Sequence, residues 1–169
     1  MKSTVLKFGG YGLLTGVVIF GLALTLGSGL SYTTQEIIGY GAMIASLSFV
    51  FFGIKHYRDK INDGKITFGK ALLIGLLISA FVGIGIGLVD YLYTTVLNPD
   101  FADDYLERTL EIYESQYTGD ELVSKKAELT QQMKDYGGSG FMATLMFVTV
   151  VLIGLIVSII SALILQRKH

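Results

Sequence analysis

The sequence predicts an all-α polytopic membrane protein: four transmembrane helices, with an outer amphipathic helical segment between the third and the fourth. Three observations predict it. Of the 169 residues, 51% are hydrophobic and 16% charged, where a soluble domain carries about 25% charged residues. The apolar residues are gathered into four long runs almost free of charge. The remaining charges are sorted by sign between alternate connections. This pattern excludes an ordinary cytosolic enzyme, a disordered chain and a coiled coil. The chain has no cysteine, hence no disulfide, no thiol nucleophile and no cysteine metal site. Its two histidines, His56 and His169, are too few for a histidine metal centre, so no cofactor is expected.

The first span reads Phe8 to Leu30 without a charge, against about 20 residues needed to cross a bilayer core. Lys2 and Lys7 precede it, as in a signal peptide. The run exceeds the core of such a peptide, and a second apolar run follows at once, so an uncleaved span is expected. The second span covers about residues 37–54, between Glu36 and Lys55. The third covers about 69–97, with Asp90 as its one acid, and the fourth about 141–165. Uniformly apolar runs of this length are not barrel strands. In lipid each backbone must satisfy its own hydrogen bonds, which makes each run a helix. The whole chain then reads as one membrane domain, with residues 98–137 as an extracytoplasmic cap.

Charge sets the expected orientation. The N-terminus, the 55–70 connection and the C-terminus hold Lys2, Lys7, Lys55, Arg58, Lys60, Lys65, Lys70, Arg167 and Lys168 against Asp59 and Asp63, a net +7. Glu36 and the 98–137 segment together hold eleven acids against Arg108, Lys125, Lys126 and Lys134, a net −7. Lysine and arginine near span ends mark the cytoplasmic side. Both termini are therefore expected in the cytoplasm, and the location is a bacterial inner membrane.

The connections carry local signals. Thr33 or Thr34 is expected to cap the second helix, with Glu36 in its first turn. Asn62-Asp63-Gly64 is a turn signal, and Thr67 suits the N-cap of the third helix. The basic cluster of Lys55, Arg58, Lys60, Lys65 and Lys70 reads as a lipid-headgroup anchor, or as a site for a specific anion. Arg58 and Asp59 are expected to pair with neighbours. In the 98–137 segment, Ala102, Leu106, Leu110, Tyr113 and Tyr117 make one helical stripe. Leu122, Leu129, Met133 and Tyr136 make a second. Gly119 separates them, and Thr118 with Glu121 forms a capping-box pattern. Gly137-Gly138-Ser139-Gly140 reads as a hinge into the last span. The segment is a cap over the bundle or along the headgroups, or a lid or docking surface.

Small residues recur every four positions on the third span, at Gly75, Ser79, Gly83 and Gly87, and on the fourth, at Gly154, Ser158 and Ala162. Gly85 adds a gap beside the first stripe. Gly12 with Gly16, and Gly41 with Ala45, give the first two spans small faces of their own. Such faces let helices approach closely, within one chain or between copies, or mark a helix that bends to gate something. Asp90, near the outer end of the third span, is either an interfacial structural carboxylate or a group that couples to transport, with Glu36 as a possible helper. No catalytic triad, paired carboxylates, phosphate loop or zinc pattern occurs, so no enzyme is expected. The acidic outer segment argues against nucleic acid as a partner.

The wording of the chain resembles the DUF4199 family of small four-span bacterial membrane proteins. The resemblance runs through Ile38-Gly39-Tyr40-Gly41-Ala42-Met43, then Gly53-Ile54-Lys55-His56-Tyr57-Arg58-Asp59-Lys60, then Gly64-Lys65-Ile66-Thr67-Phe68-Gly69-Lys70-Ala71, and closes on Gly154 to Lys168. The resemblance implies membrane location and architecture, and assigns no activity. Members often carry a glutamate and a proline in the fourth span. The matching positions here are Thr149 and Leu152, which speaks against a proton or cation mechanism built on that glutamate. Two functional classes follow. One is a structural or accessory membrane protein, whose partners are membrane lipids and either further copies of itself or another membrane protein. The other is a small oligomeric transporter or channel for protons, cations or small solutes. The scattered Ser46, Ser48, Ser79 and Thr149 offer little for a polar pathway, and the two hairpins show no repeat symmetry.

Overall fold

A computed structural model describes residues 1–27 and 30–167, without the side chains of Tyr32 and Thr33. The outer end of the first expected span and the basic Lys168 and His169 lie outside the described residues. Six α-helices run in order: α1 Lys2–Leu26, α2 Tyr32–His56, α3 Phe68–Leu92, α4 Phe101–Gln116, α5 Gly119–Tyr136 and α6 Ser139–Leu165. Single π turns extend α2 over Tyr57–Ile61 and α3 over Tyr93–Leu97. The chain separates into two compact units, Met1–Val89 with Leu145–His169, and Asp90–Thr144.

Four helical segments are long and apolar enough to cross a membrane: 25, 28, 30 and 27 residues, counting the π turns. At about 1.5 Å per residue each exceeds the roughly 30 Å hydrocarbon core. The chain is an integral membrane helical protein of four spans, with two further helices between the third and the fourth. The helices start earlier than the charge-free runs suggest. Lys2 and Lys7 sit inside α1 because nothing before Phe8 breaks a helix. α2 begins at Tyr32, because its N-cap is Ser31 and not Thr33 or Thr34: the Ser31 hydroxyl accepts the Thr34 amide at 3.4 Å. Glu36 consequently lies beyond the first turn.

In the first unit α3 is the hub, and it is buried by two adjacent stripes. Ile74, Ile78, Val82 and Ile86 recur every four residues and are fully buried. They meet glycines of the neighbouring helices. A Cβ on Gly12 would stand 2.7 Å from Val82 Cγ2, one on Gly16 would stand 3.2 Å from Ile86 Cγ1, and Gly53 of α2 lies directly under Ile78. The next stripe round the helix is the small one, and it meets α6. Leu47, Val50 and Ile54 of α2 and Val150 of α6 complete the core, each without exposure. The complementary faces are apolar and open, with Leu14, Val18 and Leu22 on α1, Ile44 and Phe52 on α2, Leu73, Ile84 and Leu88 on α3, and Leu152, Ile156 and Ile160 on α6. So much exposed leucine and isoleucine would be untenable in water. In a bilayer it is the lipid contact surface.

In the second unit α4 and α5 form an antiparallel pair. The expected stripes face inward except at Tyr136, the last residue of α5, which is exposed: Leu106, Leu110, Tyr113 and Leu122 are half-buried and Leu129 is buried. Lys126 of α5 donates to Glu114 of α4 across the pair. Gly119 begins α5 with φ +62°, in the left-handed region that glycine tolerates. Thr118 holds the N-cap position, but its side chain makes no capping bond, because that backbone turn carries it off the path to the N3 amide. The expected hinge is also shorter than the sequence suggests. α5 ends at Tyr136 and α6 starts at Ser139, so Gly140 is already helical.

Candidate functional site

Three places gather the residues that the sequence singles out. The first is the crossing of α3 with α6. Both stripes there are buried, with Gly75, Ser79, Gly83 and Gly87 on α3, and Gly154, Ser158 and Ala162 on α6. The pairing is reciprocal and antiparallel: Ser158 sits over Gly75, and Ser79 sits over Gly154. Further along, a Cβ on Gly83 would stand 2.9 Å from the Phe147 ring. Each serine turns its hydroxyl back to its own helix. Ser79 Oγ donates to the Gly75 carbonyl at 2.9 Å and Ser158 Oγ donates to the Gly154 carbonyl at 2.6 Å. Ser46 of α2 does the same to Ala42 at 2.7 Å. These buried hydroxyls are thereby satisfied without a partner helix. On α1, Gly12 and Gly16 pack inward, and Gly85 of α3 meets Leu13. Gly41 and Ala45 of α2 differ: both are exposed, and nothing lies within 4 Å of a Cβ at Gly41.

The second place is the basic connection between α2 and α3. Lys55, Lys60, Lys65 and Lys70 are exposed, and Lys70 Nζ lies 5.4 Å over the Tyr57 ring. Arg58 differs from them. It is buried, at 8% exposure, in the π turn that ends α2. Its Nε and Nη2 donate to the two Asp59 oxygens at 2.6 and 3.1 Å, and Nη1 donates to the Leu165 carbonyl at 3.3 Å. A guanidinium suits this double duty, because its donors form a planar fork. It also supplies positive charge to the carbonyl end of α6. Asp63 and Gly64, at φ +48° and +78°, make the tight turn that the sequence signals, closed by the Lys65 amide on the Asn62 carbonyl at 2.9 Å. The turn brings Ile66 to the C-terminal end of α6. There Ile66 and Arg167 exchange two backbone hydrogen bonds, at 3.0 and 2.9 Å. The connection is thus a clasp on the end of α6. Sequence reasoning sees the turn and the Arg58–Asp59 neighbourhood. It misses the clasp, because a backbone carbonyl 107 residues away leaves no mark in composition or spacing.

The third place is Asp90, in the second unit. The sequence places it inside the third expected span, near the outer end. Helical backbone runs through the π turn to Leu97, where that expected span ends, and Asp90 is buried, at 7% exposure. Its Oδ2 has no hydrogen-bond partner. Thr94, also buried, donates its hydroxyl to the Asp90 carbonyl at 2.9 Å. Ser139, at the start of α6, donates to the Thr94 carbonyl at 3.3 Å. Tyr93 anchors the turn by packing its ring edge on Phe101, 6.0 Å between centroids. π turns interrupt the regular bonding of a helix and recur at functional sites. Glu36 is exposed on α2. Among the described residues no group of three or more His, Cys, Asp or Glu side chains is placed to hold a metal.

No curated protein and no solved structure matches the chain. A family model does, described as a protein of unknown function, DUF4199, and it covers residues 7–167. That range takes in all four spans, the clasp and Asp90, and the chain belongs to the DUF4199 family of multi-pass bacterial membrane proteins.

Proposed function

We propose that the protein is a structural or accessory component of the bacterial inner membrane, with no catalytic activity. Its work in this reading is to hold a rigid four-helix unit in lipid and to associate with other membrane proteins or with further copies of itself. The observation that carries the reading is the filling of the first unit. Isoleucines and valines without exposure fill one face of α3, serine and glycine interlock on the next, and the buried hydroxyls of Ser46, Ser79 and Ser158 are all spent on their own helices. A transport route needs polar groups left open toward water, and this packing offers none of these hydroxyls.

The proposed orientation puts both termini and the clasp in the cytoplasm and residues 98–137 outside. The sorting of charge supports it, since the exposed lysines of the clasp suit the anionic inner leaflet. Liposomes reconstituted with the protein are expected to pass protons, sodium and potassium no faster than empty liposomes. Reproducible ion-selective flux that scales with the amount of protein would overturn the structural reading in favour of a transporter.

A further inference from the structure

The geometry points to a binding site for one anionic phospholipid at the clasp, with its headgroup phosphate between Lys55 at the end of α2 and Arg167 after α6, and its acyl chains on the apolar helix faces below them. The site needs neither the orientation nor the absence of transport proposed above, so it stands or falls apart from them. Three observations carry it. First, the clasp draws together cations from distant parts of the chain. Two backbone bonds to Ile66 fix Arg167 there, Lys65 adjoins that bridge, and the charges of Lys55 and Arg167 both act on the Asp59 carboxylate. Second, the acid within this group is already committed. Both Asp59 oxygens hold the Arg58 guanidinium, which leaves the exposed Lys55, Lys65 and Arg167 without a counter-charge of their own. Like charges gathered at a span end repel, and a phosphate among them offsets that repulsion. Third, the surface below the cations is apolar and open. Phe52 stands one turn before Lys55 on α2, and Leu163 and Ile164 lie in the last turn of α6 just before Arg167; all three are exposed.

The chemistry of the groups selects the occupant. A guanidinium grips phosphate oxygens through its fork, and lysine adds a point charge. Apolar side chains one turn below the cations fit acyl chains, which a free phosphate lacks. A zwitterionic lipid brings its own cation toward the lysines and is disfavoured.

The test uses the full chain in a neutral detergent, titrated with phosphatidylglycerol or with phosphatidylcholine. Native mass spectrometry counts bound lipid, and thermal unfolding is followed through tyrosine. One phosphatidylglycerol is expected to bind in preference to phosphatidylcholine and to raise the unfolding temperature. Lys55→Gln together with Arg167→Gln should weaken that binding about 30-fold, as for two cations at a membrane surface. Each change alone should weaken it about 5-fold, and the single variants carry the test if the double variant does not fold. Lys2→Gln together with Lys7→Gln removes the same charge from exposed positions outside the clasp and should leave binding unchanged. Equal losses from the two pairs would show diffuse attraction to a basic surface and would overturn the site. Phosphatidylglycerol binding no tighter than phosphatidylcholine would overturn it too, as would equal stabilisation by inorganic phosphate.

Discussion

Replacing Gly154 by alanine tests the helix crossing most directly. A Cβ at position 154 would fall on the Cβ and Oγ of Ser79, with Leu47 Cδ2 3.2 Å away on the other side. The obstacle is the short end of a side chain fixed to the α3 backbone, so no rotamer change clears it. α3 and α6 must part, and the Gly75–Ser158 contact one helical turn away parts with them. Overpacking of this kind costs up to about 3 kcal/mol. Alanine returns about 1 kcal/mol through its better helix propensity. The net loss is therefore about 2 kcal/mol. Gly41→Ala is the control. It carries the same propensity gain, and nothing within 4 Å opposes it, so it should be neutral or stabilising by up to about 1 kcal/mol. The sharper test is the exchange. Ser79→Gly in the Gly154→Ala background moves the missing Cβ to the other helix and should restore most of the loss. The coupling energy of that double-mutant cycle is then about 2 kcal/mol, within the range for residues in contact. Reversible unfolding in mixed detergent micelles, followed by circular dichroism, reads the wild type, the three single variants and the double variant. Equal stability of Gly154→Ala and Gly41→Ala, or a cycle without coupling, would refute the crossing.

Other predictions concern the caps, the clasp and the topology. Arg58→Lys should lower the unfolding midpoint nearly as much as Arg58→Ala, because an ammonium cannot grip Asp59 and reach the Leu165 carbonyl together; full rescue by lysine would show that charge alone matters. Ser31→Ala should cost about 1 kcal/mol through the lost N-cap of α2. Removing Lys126 should change stability by less than about 1 kcal/mol, since its bond to Glu114 is exposed. Cysteines placed at Ser115 and Asn62 should be labelled by an impermeant thiol reagent on intact spheroplasts at Ser115 only; the reverse pattern would invert the proposed topology.

Much of this architecture is written locally, and the parts that are not share a cause. Span length, the Asn62-Asp63-Gly64 turn and the α4–α5 stripes follow from hydropathy, turn chemistry and helical period. The glycine stripe of α3 is visible for the same reason. The stripe of Ile74, Ile78, Val82 and Ile86 beside it is not, because in a span every face is apolar and periodicity in hydropathy vanishes. Gly41 and Ala45 show the limit from the other side: the same small spacing that is buried on α3 is exposed on α2. Small size permits close approach but names no partner. The π turn that follows Asp90 is not legible either, because a π turn has no spacing signature and the apolar run simply continues through it to Leu97.

The buried polar groups divide into those satisfied by their own surroundings and those left without a partner, which among the described residues are Thr4 Oγ1, His56 Nδ1 and Asp90 Oδ2. Ser46, Ser79 and Ser158 each lie one helical turn after a carbonyl that accepts their proton. Their place in the core therefore costs little and implies no ligand. Arg58 is also satisfied, by an adjacent aspartate and a helix end, and so reads as architecture although it is the most polar group buried in the first unit. Asp90 has no such local remedy. A carboxylate cannot bond back to its own helix carbonyls, because it has no proton to give when ionised, and the nearby Thr94 proton is already committed. One side chain in the third span thus holds an unmet electrostatic demand, while its serine counterparts hold none. Asp90 Oδ2 is the buried carboxylate oxygen that the fold leaves without a partner among the described residues.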